Sequence, residues 1–85
     1  MNWEVLLGGL ARNSLKRIPA SDQRRILATL DTMQEDPFSG DVVRLNAQPT
    51  AWRRRVGDWR IFFDVDPERQ LVVVHDVVRR TSTTY

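Results

Sequence analysis

The spacing of apolar residues changes twice along this chain of 85 residues. The run Trp3-Glu4-Val5-Leu6-Leu7 reads as a strand closed by Gly8 and Gly9. Ala11, Leu15 and Ile18 then recur at i, i+4 and i+7, which predicts a short amphipathic helix over residues 10–18 with Arg12, Lys16 and Arg17 off its apolar stripe. Pro19 ends that helix. Ser21 is the expected cap of a second helix over residues 22–36, with Ile26, Leu27, Leu30 and Met33 on one side and Pro37 as its stop. Two helices with one apolar side each, followed by strands, predict a helical hairpin laid across one face of a sheet.

From Val42 the spacing falls to two. Residues 41–46 begin a strand. Residues 50–56 and 59–65 form a hairpin around Gly57-Asp58, a turn whose first position needs positive φ. Residues 70–78 form a last strand, apolar on both sides as a central, doubly covered strand would be. No repeat, low-complexity tract or linker interrupts the chain, so residues 1–85 are expected to form a single α+β domain of order β-α-α-β-β-β. Its sheet is largely antiparallel, with the helical hairpin packed on one face.

Alternation assigns side chains to faces. Residues flanking a two-residue turn lie opposite each other, so Trp52, Val56, Trp59, Ile61, Phe63 and Val65 share the side beneath the helices. Arg54 also falls on that side. Arg53, Arg55, Arg60, Phe62 and Asp64 share the other, where Arg80 can join from the end of the last strand. Asp64, and by the same parity Asp76, are the acids expected there. Guanidinium groups so concentrated repel one another unless acids or a polyanion neutralise them, and the pattern favours a phosphate-binding groove over a solvated charge run.

Composition sharpens this picture. Residues 1–43 carry five basic and six acidic side chains and residues 44–85 eight and five, so the formal charge of +2 divides as −1 and +3. Twelve of the thirteen cations are arginine, whose planar fork suits bidentate contact with phosphate. Cysteine is absent, which excludes a disulfide scaffold and a thiolate metal site and fits a reducing cytoplasm. No stretch approaches a membrane span, and the first residues lack the basic start and long apolar centre of a secretion signal.

The hairpin WRRRVGDWRIFFDVD, preceded by DPFSGDVVRLN and followed by LVVVHDVVRR and a late Tyr85, resembles the RelE/ParE superfamily of bacterial toxins over nearly the whole chain. The RelE branch consists of messenger-RNA interferases that act in the ribosomal A site. The resemblance implies attack by the RNA's own 2′-hydroxyl, a cyclic phosphate and a 5′-hydroxyl as products, and neither metal nor other cofactor. It implies Arg60, Arg80 and Tyr85 as catalytic residues, with Tyr85 orienting or activating the 2′-hydroxyl or stacking on a base. Arg53, Arg55 and Arg79 occupy its RNA-contacting positions, and Phe62, beside the arginines, is the residue placed to stack on a base. Implied partners are a cognate antitoxin and, for an interferase, mRNA and the ribosome with its 16S rRNA.

Arginine does not act as a proton acceptor, so the general base is left open. Two alternatives therefore stand beside the nuclease. One is a ParE-like inhibitor of DNA gyrase, and the other an RNA-binding relative without chemistry. His75, between Val74 and Asp76, is expected to pack on the helix side and is left out of the site. Asp64, Asp66 and Glu68 surround Pro67, which marks them as turn residues rather than metal ligands.

Overall fold

Five strands, one more than the spacing predicts, form a single sheet in the computed structural model, which describes residues 2–46 and 50–80. The elements are β1 (Glu4–Leu7), α1 (Gly9–Arg17), α2 (Ala20–Met33), β2 (Val42–Arg44), β3 (Trp52–Val56), β4 (Trp59–Asp66) and β5 (Leu71–Arg79). Their order across the sheet is β1-β5-β4-β3-β2, with β1 parallel to β5 and every other pair antiparallel. The extra strand is β2, three residues long and separate from β3, at one edge of the sheet.

Both helices lie on one face. Ala11, Leu15 and Ile18 from the first helical segment and Ile26, Leu30 and Met33 from α2 close over Ile61, Phe63, Val72, Val74 and Val77. Phe63, Ile61, Val72 and Val74 are fully buried, and each such side chain contributes about 1.5–3 kcal/mol of transfer free energy. Trp52, Val56, Trp59 and Val65 pack against the rim of this core, on the side that alternation assigned to them.

Three local expectations change. Helix α2 begins at Ala20 with Pro19 as its N-cap residue, so Ser21 lies inside the first turn and makes no cap. Proline is pre-set for a helix start, and its missing N–H is no loss there. The helix ends at Met33, before the buried Pro37. β5 has β1 and β4 on its flanks but only one covered face: His75 and Val78 are exposed while Val72, Val74 and Val77 are buried.

The α2–β2 connection is held by an arginine. Arg54 shares its face with Ile61, yet its guanidinium turns to donate to the Ser39 carbonyl at 2.9 Å and the Arg55 carbonyl at 3.2 Å. It lies flat against Gly40, where φ is +81° and a side chain would collide with it. The positive φ and the close approach both require glycine.

Candidate nucleic-acid interface

The β3–β4 hairpin aligns the cations. Gly57 has φ +56°, as the turn demands, and Val56 faces Trp59 across it. The register then places Arg55 opposite Arg60 and Arg53 opposite Phe62. Cross-strand partners share a face. Arg53, Arg55, Arg60 and Phe62 thus lie together on the side of the sheet away from the helices, as alternation predicts. Val43 of β2 and Val78 of β5 flank them as partners of Arg53 and Arg60, both more than 40% exposed.

Apposed arginines destabilise a sheet unless something offsets their repulsion. Asp41, just before β2, is the acid that does so, and alternation within the hairpin alone did not reveal it. Its Oδ1 stands 3.6 Å from Arg53 Nη1 and its Oδ2 3.8 Å from Arg55 Nε. Its backbone carbonyl accepts the Arg55 N–H at 3.0 Å. Both side-chain contacts are ion pairs beyond hydrogen-bond length, and among the described residues Arg53 Nη1 and Arg55 Nε find no acceptor although each is shielded from water. Asp41, 53% exposed, thus balances these guanidinium groups only in part.

Of the other two acids expected on this face, Asp64 keeps its place and Asp76 does not. Asp64 does reach the arginine face, but Oδ1 accepts the Ala51 N–H at 2.7 Å and Oδ2 lies 2.7 Å from His75 Nε2. Asp76 leaves that face: its Oδ1 accepts from Ser14 Oγ of α1 at 2.6 Å and from the Val77 N–H at 2.8 Å. His75, expected under the helices, stands on the open side with its side chain 44% exposed. One irregularity explains both departures. β4 and β5 pair Phe62 with Asp76 and Phe63 with Val74, so His75 is an extra residue on β5 and the alternation of faces shifts there.

Arg79 does not join the cluster. With Val78 opposite Arg60, alternation turns Arg79 toward Trp59, and its guanidinium lies 5.8 Å from the indole centroid, a cation–π distance. There it lines a shallow recess with Ser14, Arg17 and Asp76. Arg80 follows the strand, exposed, its N–H held by the Asp58 carbonyl at 2.6 Å, so the backbone of the hairpin turn fixes its position beside Arg60's strand. Tyr85 lies outside the described residues. Asp66 Oδ1 accepts the Arg69 N–H at 3.3 Å in the β4–β5 turn, the local role expected of it. Among the described residues no three His, Asp or Glu side chains gather as metal ligands, and no helix is long and apolar enough to cross a membrane.

Comparison with solved structures identifies the architecture. The RelE of an archaeal RelE–RelB complex from Pyrococcus horikoshii superposes with a TM-score of 0.83, at 22% identity over 98% of this chain and 100% of that one. The chain has the RelE fold. Under the same fold, the RelBE2 toxin–antitoxin complex from Mycobacterium tuberculosis matches with a TM-score of 0.82, at 20% identity over 94% of this chain and 100% of that chain. The isolated RelE toxin of E. coli matches with 0.79, at 14% identity over 95% and 87%. No family model and no curated protein matches the sequence. What these structures share with the chain is the RelE arrangement of two helices on one face of a mostly antiparallel five-stranded sheet.

Proposed function

We propose that this protein is the toxin of a toxin–antitoxin pair and acts as an endoribonuclease on ribosome-bound mRNA. The observation that carries the reading is the convergence of Arg53, Arg55 and Arg60 with Phe62 on the sheet face that the helices leave open. An RNA strand laid across β3 and β4 meets charge at its phosphates and an aromatic ring beside them, the two elements of single-strand recognition. The RelE fold supports it further, since the solved structures that share it include toxins bound to RelB antitoxins.

The chemistry follows from what guanidinium can do. The RNA 2′-oxygen attacks the adjacent phosphorus, the bond to the 5′-oxygen breaks, and a cyclic phosphate and a 5′-hydroxyl result. Negative charge grows on the non-bridging oxygens as the phosphorane forms. Donors already aimed at that position are worth roughly 10²–10³ in rate each. Arg60, with Arg80 next to it, is assigned this task, while Arg53 and Arg55 hold the flanking phosphates. Tyr85 keeps the role its resemblance implies, orienting the 2′-hydroxyl or stacking on a base. No metal enters this scheme. An antitoxin with an acidic segment would occupy the same face and supply the counter-charge that Asp41 gives only in part.

Programmed ribosomes mixed with the purified protein, followed by mapping of RNA 5′ ends, test the reading. New ends should appear with the wild type. Arg60→Ala and Arg80→Ala should each slow their formation about 10²-fold or more, and Arg12→Ala, on the far side of α1, should leave it unchanged. Folded protein that yields no new ends, or that instead blocks supercoiling by DNA gyrase, overturns it.

A further inference from the structure

We propose that His75, held by Asp64, is the general base that an arginine face by itself lacks; the inference rests on the ribonuclease reading above. The β5 bulge turns the imidazole out of the core onto the open face, across from the step between Phe62 and Phe63 on β4. Nε2 lies 2.7 Å from Asp64 Oδ2. A carboxylate only accepts, so the hydrogen in that contact is carried by Nε2, and the lone pair of Nδ1 is left for another proton. Asp64 is itself fixed through its second oxygen by the Ala51 N–H at 2.7 Å. A backbone donor, a carboxylate and an imidazole thus form a chain ending on a half-exposed ring, the order in which a base is oriented by a third group.

Its position relative to the arginines is set by the register. Phe62 stands between them: Arg53 is across from it on β3, about 5 Å away backbone to backbone, and Arg60 is two residues back along β4, about 7 Å. A ribose beside Phe62, with its 3′-phosphate toward Arg60, presents its 2′-hydroxyl toward the side occupied by His75. Nδ1 takes the 2′-hydroxyl proton as the oxygen bonds to phosphorus. The departing 5′-oxygen takes a proton from water, and the imidazolium later returns its own proton to solvent. Besides Asp64, the titratable or charged groups that the described residues bring to this face are Arg60 and Asp66 on β4, Arg80 after β5, Arg53 and Arg55 on β3, Asp41 before β2, and Glu4 on β1. No other group among these is an imidazole, so the pH profile distinguishes His75 from them.

The experiment compares wild type, His75→Gln, His75→Ala and Asp64→Asn in the ribosome cleavage assay from pH 5 to pH 8.5, with thermal melting to establish that each is folded. His75→Gln should lower kcat about 10²-fold or more, leave KM within twofold, and abolish the inflection in rate that an imidazole gives. Free imidazole should restore part of the His75→Ala rate. Asp64→Asn, a positioning change, should lower kcat by less than His75→Gln and leave KM within twofold. A 2′-O-methyl oligonucleotide should bind wild type and His75→Gln equally. Folded His75→Gln that cuts within threefold of wild type, with the same pH profile, overturns the assignment to His75 and leaves the nuclease intact. Wild type that makes no new RNA ends at any pH overturns the nuclease, and the base with it.

Discussion

Replacing Asp41 by asparagine removes one negative charge from between two guanidinium groups and changes almost nothing else. The backbone bond from Arg55 N–H to the Asp41 carbonyl, 3.0 Å, is untouched by the substitution. Two unit charges 4 Å apart attract by about 1 kcal/mol in water and about 4 kcal/mol at an effective dielectric of 20. Asp41 is 53% exposed and its contacts are 3.6 and 3.8 Å, so the lower figure governs. Exposed pairs of this kind contribute about 0–1 kcal/mol once side-chain ordering is counted. Asp41→Asn should therefore cost at most about 1 kcal/mol in urea denaturation, a small share of the 5–15 kcal/mol typical of a folded domain.

Its effect on RNA should have the opposite sign. Asp41 competes with phosphate for Arg53 and Arg55, and its long contacts do little to hold those side chains in place. Removing that competition should tighten binding of a labelled 2′-O-methyl oligonucleotide by about 1 kcal/mol, roughly fivefold, at low salt. The gain should fade as salt rises, since the screening length falls from about 10 Å at 0.1 M to 3 Å at 1 M. Fluorescence anisotropy across a salt series reads this directly. Unchanged or weaker binding at low salt would refute the placement of RNA on this face, and a stability loss above 2 kcal/mol would show that Asp41 holds the fold rather than merely balancing charge.

Arg54→Met keeps the aliphatic stem but forfeits the guanidinium bonds to the Ser39 and Arg55 carbonyls; urea melts should show a loss of about 1–3 kcal/mol, with cleavage per folded molecule near wild type. Gly57→Ala forces a side chain into positive φ and toward the Arg25 guanidinium, 2.9 Å from its Cβ, so the same melts should show a loss of at least about 1–2 kcal/mol. Phe63→Ala empties the centre of the core at a cost of about 3–5 kcal/mol, enough for circular dichroism at 37 °C to record a largely unfolded chain if total stability is near the low end of its usual range.

The hairpin was legible because period-two spacing and Gly57-Asp58 together fix both its register and its faces. Arg53, Arg55, Arg60 and Phe62 could be assigned to one surface from that alone. What failed was information that lies between strands rather than within them. No single-strand pattern announces an extra residue in β5, and one such residue moved His75 out to the open face and let Asp76 reach Ser14. The resulting His75–Asp64 pair needs the β4–β5 register to be seen. Asp41 was missed for a related reason: its sequence neighbours Ser39 and Gly40 mark a turn, and only pairing of β2 with β3 brings its carboxylate to the arginines. Arg79, which the resemblance sets among the RNA-contacting positions, lies apart from Arg60 because adjacent residues of a strand point in opposite directions and Val78 takes the place opposite Arg60.

The seam between β1 and β5 joins the beginning of the chain to its last strand. During synthesis residues 4–7 have no neighbour in the sheet until residues 71–74 have been made, some 67 positions later. The molecule therefore cannot assemble its sheet progressively from the amino end; closure waits for residues 71–74 to be present. A product cut short before β5 leaves the first strand stranded and the core without Val72, Val74 and Val77.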